Sequence, residues 1–149
     1  MRRPPCNTRG MAHRRGAENT EDARNRIDVV SRTVIGAAVE VHRRLGPGLL
    51  ESTYQRCLSR ELELRGVRFE CEVRVPIQYK GLVLQTGYRI DFVVEGEVVI
   101  EIKAVAAIDP IHMAQILTYL KLLDLRVGLL INFNVGRLID GIRRVVNRY

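Results

Sequence analysis

The sequence has no long apolar run and few cysteines. No apolar stretch approaches the roughly 18 residues that a membrane-spanning helix needs, and the basic N-terminal segment lacks the apolar stretch of a signal peptide. We therefore expect no membrane association and a cytoplasmic location. The cysteines, Cys6, Cys57 and Cys71, are widely spaced and form no Cys-x-x-Cys pair. This pattern argues against a disulfide framework and against structural zinc, and it favours Cys57 and Cys71 as small core residues.

Lysine is also scarce, since Lys80, Lys103 and Lys121 are the only lysines and the remaining cations are arginines. The 24 Lys and Arg residues outnumber the 17 Asp and Glu residues, which gives a formal net charge of +7. An excess of positive charge suits an anionic partner such as nucleic acid. A solvated basic surface explains the same composition about as well, so charge alone assigns no partner.

The length of 149 residues suits one domain that buries a real core. Residues 1–24 combine proline, glycine and arginine without apolar periodicity, so we expect a disordered basic tail followed by a domain over residues 25–149. Apolar residues then recur at helical spacing from about Ala23 to Arg44 and from Leu50 to Arg65. Gly46-Pro47-Gly48 separates these two predicted helices.

Three strands are predicted to follow as an antiparallel meander from Arg68 to Ala104. Strict alternation from Phe69 to Tyr79 indicates the first strand. Pro76 cannot donate a ladder hydrogen bond, which favours a position at the sheet edge. Lys80-Gly81 can then turn the chain into the second strand.

A helix and a strand complete the predicted core. Asp109-Pro110 has the pattern of an N-cap followed by proline at the first helical position, and we predict a helix to about Leu123. The apolar run from Val127 to Ile131 predicts a buried strand that can add parallel to an earlier one. The closing segment from Val135 to Tyr149 suggests a helix, although Gly141 weakens that interpretation.

The most informative stretch is the predicted hairpin from Tyr88 to Lys103. Counting outward from the loop Glu95-Gly96-Glu97 places Asp91 directly opposite Glu101. Lys103 lies two residues beyond Glu101 and therefore projects from the same face. Two carboxylates and an ammonium group thus share a patch inside apolar strands, where ionised groups are rarely placed for stability alone.

Structural interpretations compete with functional ones at several of these positions. Lys103 and one of the acids can simply form a buried ion pair. Glu51, in the first turn of its helix, suits the positive helix end. Arg89 shares the face of Asp91 and can reach a phosphate, but pairing with a carboxylate is the interpretation that we favour.

Three further side chains have mainly structural interpretations. His42 and His112 stand singly on helices and form no metal-binding spacing, so packing or capping is favoured for both. Tyr54 lies one turn after the helix start and is more often a core residue than a catalytic one.

The acids and the lysine resemble the signature of the PD-(D/E)XK nuclease superfamily, as Asp91 followed by Glu101-Ile102-Lys103, with Ile90 in place of the proline that often precedes the aspartate. The segment Gln115-Ile-Leu-Thr-Tyr119 is similar to the Gln-x-x-x-Tyr motif of the exonuclease-like branch. The resemblance covers roughly residues 27–147.

A more specific resemblance is to the GxxExxY family, through Gly48, Glu51 and Tyr54, and His42 lies where this resemblance is strong. Later blocks of that family resemble two segments of this chain, Tyr88-Arg-Ile-Asp91 and Leu129-Leu-Ile-Asn-Phe-Asn134.

The resemblance implies an α/β fold with a restriction-endonuclease-like core. We expect a central mixed sheet of about four strands flanked by helices, in the order ααβββαβ plus a closing element. It also implies Mg²⁺ or Mn²⁺, hard cations that favour carboxylate oxygens. Asp91 and Glu101 would be the main ligands, with Glu51 as an additional ligand, direct or through water.

The remaining motif residues would assist the chemistry. Lys103 would orient the attacking water or stabilise charge that grows on the phosphate. Gln115 would position Lys103 or the phosphate, and Tyr119 would support its helix or line the groove.

The implied function is metal-dependent hydrolysis of phosphodiester bonds, in DNA rather than RNA. Two alternatives stay open at this point. One is a nucleic-acid-binding module that keeps the fold without turnover, and the other is a small interaction protein such as a homodimer. Fold resemblance alone does not decide between them.

Overall fold

The computed structural model describes residues 19–85 and 87–148. The chain there begins with helix α1 (Thr20–Leu45), which starts earlier than the predicted Ala23. The side chain of the N-cap, Asn19, accepts a hydrogen bond from Glu21 N at 3.2 Å. Polar first turns of this kind carry no apolar periodicity, which is why the sequence pattern missed this one. Residues 1–18 lie outside the described part, so the disordered tail stays a prediction.

The second helix, α2 (Glu51–Leu64), follows a loop that contains Gly46 and Gly48, both at positive φ (67° and 98°). A third helix, α3 (Pro110–Leu123), lies between strands and has the predicted bounds, with Asp109 as N-cap and proline at the first position. The expected capping role of His112 is confirmed, because Asp109 N donates a hydrogen bond to His112 Nδ1 at 3.1 Å.

The strands of the described residues are β1 (Phe69–Arg74), β2 (Ile77–Tyr79), β3 (Leu82–Leu84), β4 (Arg89–Val94), β5 (Val98–Lys103), β6 (Val127–Asn132) and β7 (Ile142–Val146). The main sheet has five strands in the order β1-β4-β5-β6-β7. Strands β5 and β6 are parallel and joined by α3, whereas the other neighbouring pairs are antiparallel. This mixed sheet flanked by helices confirms the expected α/β fold class, with one strand more than predicted.

The predicted meander is wrong in one respect, because β2 and β3 form a separate two-stranded sheet. Strand β1 ends at Arg74, before Val75-Pro76, and does not continue into β2. Val75 N donates a hydrogen bond to Tyr88 O at 2.9 Å, where the chain returns to the main sheet. A Cβ at Gly87 would lie only 1.9 Å from Val75 O, so this close crossing of the chain requires glycine. Strand β1 is at the sheet edge, as Pro76 indicated.

The closing segment forms a strand rather than the suggested helix. A short 3₁₀ helix (Leu138–Gly141) leads into β7, which pairs antiparallel with β6. Gly141 is buried, and a Cβ there would lie 2.2 Å from Asn132 O, which fixes the close approach that starts the new strand. Pairing with the buried strand β6 therefore overrides the apolar spacing that suggested a helix.

The core has two layers, one on each face of the sheet. Helices α1 and α2 pack on one face against Phe92, Ile100 and Ile131. Helix α3 packs on the other face through Ile116 and Leu120. Cys57 and Cys71 border the first layer as expected. Cys57 is a free thiol, whereas Cys71 is disulfide-bonded, which the sequence did not lead us to expect.

None of the helices in residues 19–148 that the structure describes is long and apolar enough to cross a membrane.

Tyr54 anchors the loop that precedes α2. Its ring is fully buried and stacks on Phe133 with centroids 4.4 Å apart. Its hydroxyl donates to Gly46 O at 2.5 Å and accepts from Leu49 N at 3.2 Å. The expected core role is therefore confirmed. This hydroxyl also fixes the chain just before Glu51.

His42 has a similar role at the end of α1. Its side chain is buried, and Nε2 lies 2.8 Å from Val135 O, which ties the helix to the segment after β6. The expected packing interpretation is confirmed for this histidine.

We expect Tyr54→Phe to lower the free energy of unfolding by about 1 kcal/mol, because it leaves two partly buried backbone groups of the loop without this hydrogen-bond partner. Urea denaturation measures the change. The matched control is Tyr79→Phe, whose ring is exposed, and we expect it to change stability by less than about 0.5 kcal/mol. Equal effects of the two substitutions would contradict the anchoring role.

Candidate active site

The turn between β4 and β5 sets the register of the hairpin. Glu95 and Gly96 both have positive φ (51° and 65°), and Glu97 N donates to Val94 O at 2.9 Å. Val94 pairs with Val98, which confirms the predicted register. Asp91 and Glu101 are therefore brought together as the sequence indicated.

At the acids, side chains replace the backbone ladder. The last regular pair of β4 and β5 is Phe92 with Ile100. Beyond it, Asp91 N donates to Glu101 Oε1 at 3.1 Å, and Ile102 N donates to Asp91 Oδ2 at 2.8 Å. Each carboxylate thus uses one oxygen to hold the opposite strand, and its other oxygen accepts no hydrogen bond from residues 19–85 or 87–148.

The ladder on the other side of β4 is also interrupted at Asp91. Strand β1 pairs on both sides of this position, and Glu72, which stands opposite, has a positive φ of 54°. A left-handed backbone is uncommon outside glycine, and such conformations cluster at functional sites. Arg89 Nη1 lies 3.7 Å from Glu72 Oε1, so the favoured pairing of Arg89 with a carboxylate is confirmed.

Both acids are buried, with 8% of Asp91 and 5% of Glu101 exposed. Burial raises the pKa of Glu101 to about 8, and the charge of Asp91 adds to the increase. Burial likewise raises the pKa of Asp91 to about 6; the hydrogen bond from Ile102 opposes this increase. Near neutral pH the pair therefore carries less than its full negative charge.

Lys103 ends β5 beside this pair, and its positive charge lowers the pKa of both acids. The chain around it is held by β6, since Phe133 N donates to Lys103 O at 2.9 Å. Asn132 then binds Val105 twice, through Oδ1 to the backbone N at 3.1 Å and through Nδ2 to the backbone O at 3.0 Å.

Asn132 has a role here that the sequence did not lead us to expect. The sequence signal that could have identified it is an amide side chain at the end of an apolar strand. That strand end lies in the segment Leu129–Asn134, for which only the family resemblance was considered. Its two hydrogen bonds clamp the exit of the strand that carries Glu101 and Lys103.

Helix α3 brings Gln115 and Tyr119 to the same site. Gln115 and Tyr119 are four residues apart and so neighbours on the helix surface, as predicted. Burial raises the pKa of the Tyr119 hydroxyl, and the charges of Glu101 and Asp91 add to the increase, so this hydroxyl lies near both acids. Tyr88, which the sequence analysis did not single out as a site residue, packs beside it with ring centroids 5.7 Å apart.

Glu51 stands apart from the buried pair. It is exposed at the first position of α2, yet its charge raises the pKa of both Asp91 and Glu101. Within residues 19–85 and 87–148, no three His, Cys, Asp or Glu side chains are close enough together to hold a metal ion. The two strand acids are therefore assembled, and a ligand role for Glu51 stays a prediction.

The chain was also compared with known proteins. A family model described as the PD-(D/E)XK nuclease superfamily matches residues 28–145, a stretch that contains the acids, Lys103 and the Gln115–Tyr119 pair. Neither the comparison with curated proteins nor the comparison with solved structures gave a match.

The raised pKa values predict a pH-dependent stability. Both acids have folded-state pKa values, about 6 and about 8, above the ordinary values of 3.8 and 4.5, so the folded protein binds more protons over that range. Their contribution to stability is complete below about pH 4 and is lost as the pH rises through both folded values. We therefore compare the stability of metal-free Glu101→Gln with that of metal-free wild type at each pH. We expect the variant to gain more stability over wild type at pH 8 than at pH 5.5.

Thermal melting in a chelating buffer at both pH values measures this difference. Glu63→Gln, on an exposed position of α2, is the matched control and should follow wild type. If Glu101→Gln also follows wild type at both pH values, the acid does not titrate in the range described.

Proposed function

The chain belongs to the PD-(D/E)XK nuclease superfamily, and on that premise we propose that it is a divalent-metal-dependent nuclease that hydrolyses phosphodiester bonds in DNA rather than RNA. The observation that carries the proposal is the buried pair of Asp91 and Glu101 beside Lys103. Burial raises the pKa of both acids, and the charge of Asp91 raises that of Glu101 further, so ionising both is unfavourable without a cation. A nucleic-acid substrate also fits the cytoplasmic location expected from the sequence.

The residues present fit Mg²⁺ or Mn²⁺. Nucleases of this superfamily generally use divalent metals, and the pair offers carboxylate oxygens, which such hard cations prefer. Asp91 and Glu101 would hold the ion, with Glu51 as a further ligand, direct or through water. When bound, the ion would polarise the scissile phosphate and lower the pKa of the attacking water.

The protein's own groups would prepare the reaction around that centre. The backbone amides of Asp91 and Ile102 fix one oxygen of each carboxylate, so the remaining oxygens are already oriented. The ammonium group of Lys103 would orient the attacking water or stabilise negative charge as it develops on the phosphate. Gln115 would position Lys103 or the phosphate, and Tyr119 would line the groove beside the acids.

Within the superfamily we propose the exonuclease-like branch and, more narrowly, the GxxExxY family. The adjacency of Gln115 and Tyr119 on α3, with the Tyr119 hydroxyl near the acids, supports the branch. The loop that Tyr54 anchors supports the narrower family, since it would hold Glu51 at the helix start facing the acids.

One observation favours the alternative of a homodimeric interaction protein. The β2–β3 hairpin exposes a cluster of large apolar side chains, and exposed apolar patches of this kind mark interaction surfaces. Its members are Tyr79, Leu82, Val83 and Leu84. Sedimentation of the full chain distinguishes monomer from dimer, and a dimer that neither binds nor cuts nucleic acid would favour this alternative.

We expect Mg²⁺ or Mn²⁺ at millimolar concentration to raise the melting temperature of wild type but not of Asp91→Asn. If the concentration of the free ion is 100 times its dissociation constant, binding would stabilise the folded state by about 2.7 kcal/mol. Asp22→Asn, an exposed aspartate on α1, is the control and should keep the shift. A wild-type protein that does not respond to either metal would contradict the proposed cofactor.

We expect Lys103→Ala to reduce cleavage of labelled DNA at least about 100-fold, because it removes the group that stabilises the developing charge. Lys121→Ala, at an exposed position of α3, should cleave as wild type does. The panel contains single strands, duplexes, nicked duplexes and junctions, each as DNA and as RNA. Salt-sensitive binding without cleavage by wild type would overturn catalysis and favour the binding module.

A further inference from the structure

Four arginines converge on a cavity at the other end of the sheet from Lys103. The cavity has a volume of about 520 Å³ and is lined by Arg24, Arg126, Arg144 and Arg148. Val127 and Val146, which also line it, form the register pair at the start of β6. Lys103 instead pairs with Asn132 at the far end of the parallel strands. The cavity is therefore separate from the candidate active site.

Helix α1 and strand β7 build one wall of the cavity. Arg24 and Asp28 are four residues apart and so neighbours on the helix surface. Arg144 Nη2 lies 3.0 Å from Asp28 Oδ1, which fixes the strand against the helix. Arg148, just beyond the end of β7, lines the same cavity.

Asn147 holds the opposite wall in place. It is buried, its backbone N donates to Arg126 O at 2.8 Å, and its Nδ2 donates to Leu125 O at 3.2 Å. The residue thus joins the segment after β7 to the turn before β6. Arg126 and Arg148 are in consequence carried on backbone that is fixed side by side.

The charge around the cavity is unbalanced. Asp28 is the acidic residue among its lining, and it is already paired with Arg144. Arg24, Arg126 and Arg148 form no ion pair with any residue of the described part of the chain. Like charges gathered in this way repel one another, and a bound anion would remove the repulsion. The planar guanidinium fork matches phosphate oxygens in geometry.

We propose that this arginine cavity is a phosphate-binding site that holds the backbone of the nucleic-acid substrate at a distance from the acids. The inference rests on the proposed function for its ligand, although not for the site itself. Glu101 and Val98, at the cavity end of β5, are three residues apart, about 10 Å along the strand, and they project from opposite faces of the sheet. A nucleic acid that occupies both places must therefore extend several nucleotides beyond the cleaved bond.

The test measures how nucleic-acid binding depends on salt. The full-length chain, in a chelating buffer that prevents cleavage, is titrated with labelled duplex and single-stranded DNA at several salt concentrations. Arg126→Gln/Arg148→Gln is compared with Arg32→Gln/Arg60→Gln, which removes the same charge from exposed helix positions elsewhere. Arg24→Gln tests a third arginine from a different element, and Arg144 is left in place because it pairs with Asp28.

The cavity variant is Arg126→Gln/Arg148→Gln. We expect its slope of log K against log salt to be less negative than that of wild type by about 1.8 for duplex DNA, since each lost phosphate contact removes about 0.9. The control double variant should keep the wild-type slope. Both variants should melt as wild type does in the absence of DNA. Equal slopes for the two double variants would overturn the proposal.

A second arm separates nucleic acid from free phosphate as the source of the ligand. If inorganic pyrophosphate raises the melting temperature of wild type but not of the cavity variant, while the DNA slopes stay equal, the assignment to nucleic acid is overturned. Failure of the proposed function is distinguishable, because it would abolish metal-dependent cleavage and leave the difference in slopes intact. An unchanged slope together with Lys103-dependent cleavage would refute the cavity alone.

Discussion

The structure depends most on the exchange of hydrogen bonds between two carboxylates and the backbone of opposing strands. Asp91 accepts from Ile102 N, and Glu101 accepts from Asp91 N, where the ladder of β4 and β5 would otherwise continue. The exchange keeps two acids inside a sheet whose other residues at that depth are apolar. Ionising both there is unfavourable, and that cost makes the pair a natural ligand for a cation.

The rest of the fold supports that exchange from several directions. On one side, β1 is interrupted opposite Asp91, and α3 brings the Tyr119 hydroxyl close to both acids. On the other, Asn132 clamps the backbone just after Lys103, and Tyr54 fixes the loop before Glu51. These contacts join β1, β6, α3 and the loop before α2 to one small region. Side chains held in this manner keep their orientation when a ligand binds.

Short-range rules for turns and strand register predicted the arrangement of the two acids correctly, but they did not predict the strand pairings that depend on distant parts of the chain. The loop Glu95-Gly96-Glu97 determines the register of the hairpin. Counting residues outward from that loop therefore predicted that Asp91 lies opposite Glu101. The detachment of β2 and β3 could not be predicted in this way, because it depends on the crossing of Val75 and Gly87, which are distant in the chain. Strand β7 was missed for the same reason, since its pairing with β6 outweighs its local spacing. Asn132 acts through backbone contacts that no spacing reveals.

The central claim is that Asp91 and Glu101 hold a divalent ion. Calorimetric titration of Mn²⁺ into the full-length protein, with Asp91→Asn and Glu101→Gln titrated alongside, measures it most directly. We expect Mn²⁺ to bind wild type and each substitution to weaken that binding at least about tenfold, the range found when groups that support a metal site are changed. Wild-type binding of equal strength in both variants, or no binding to wild type, would contradict it.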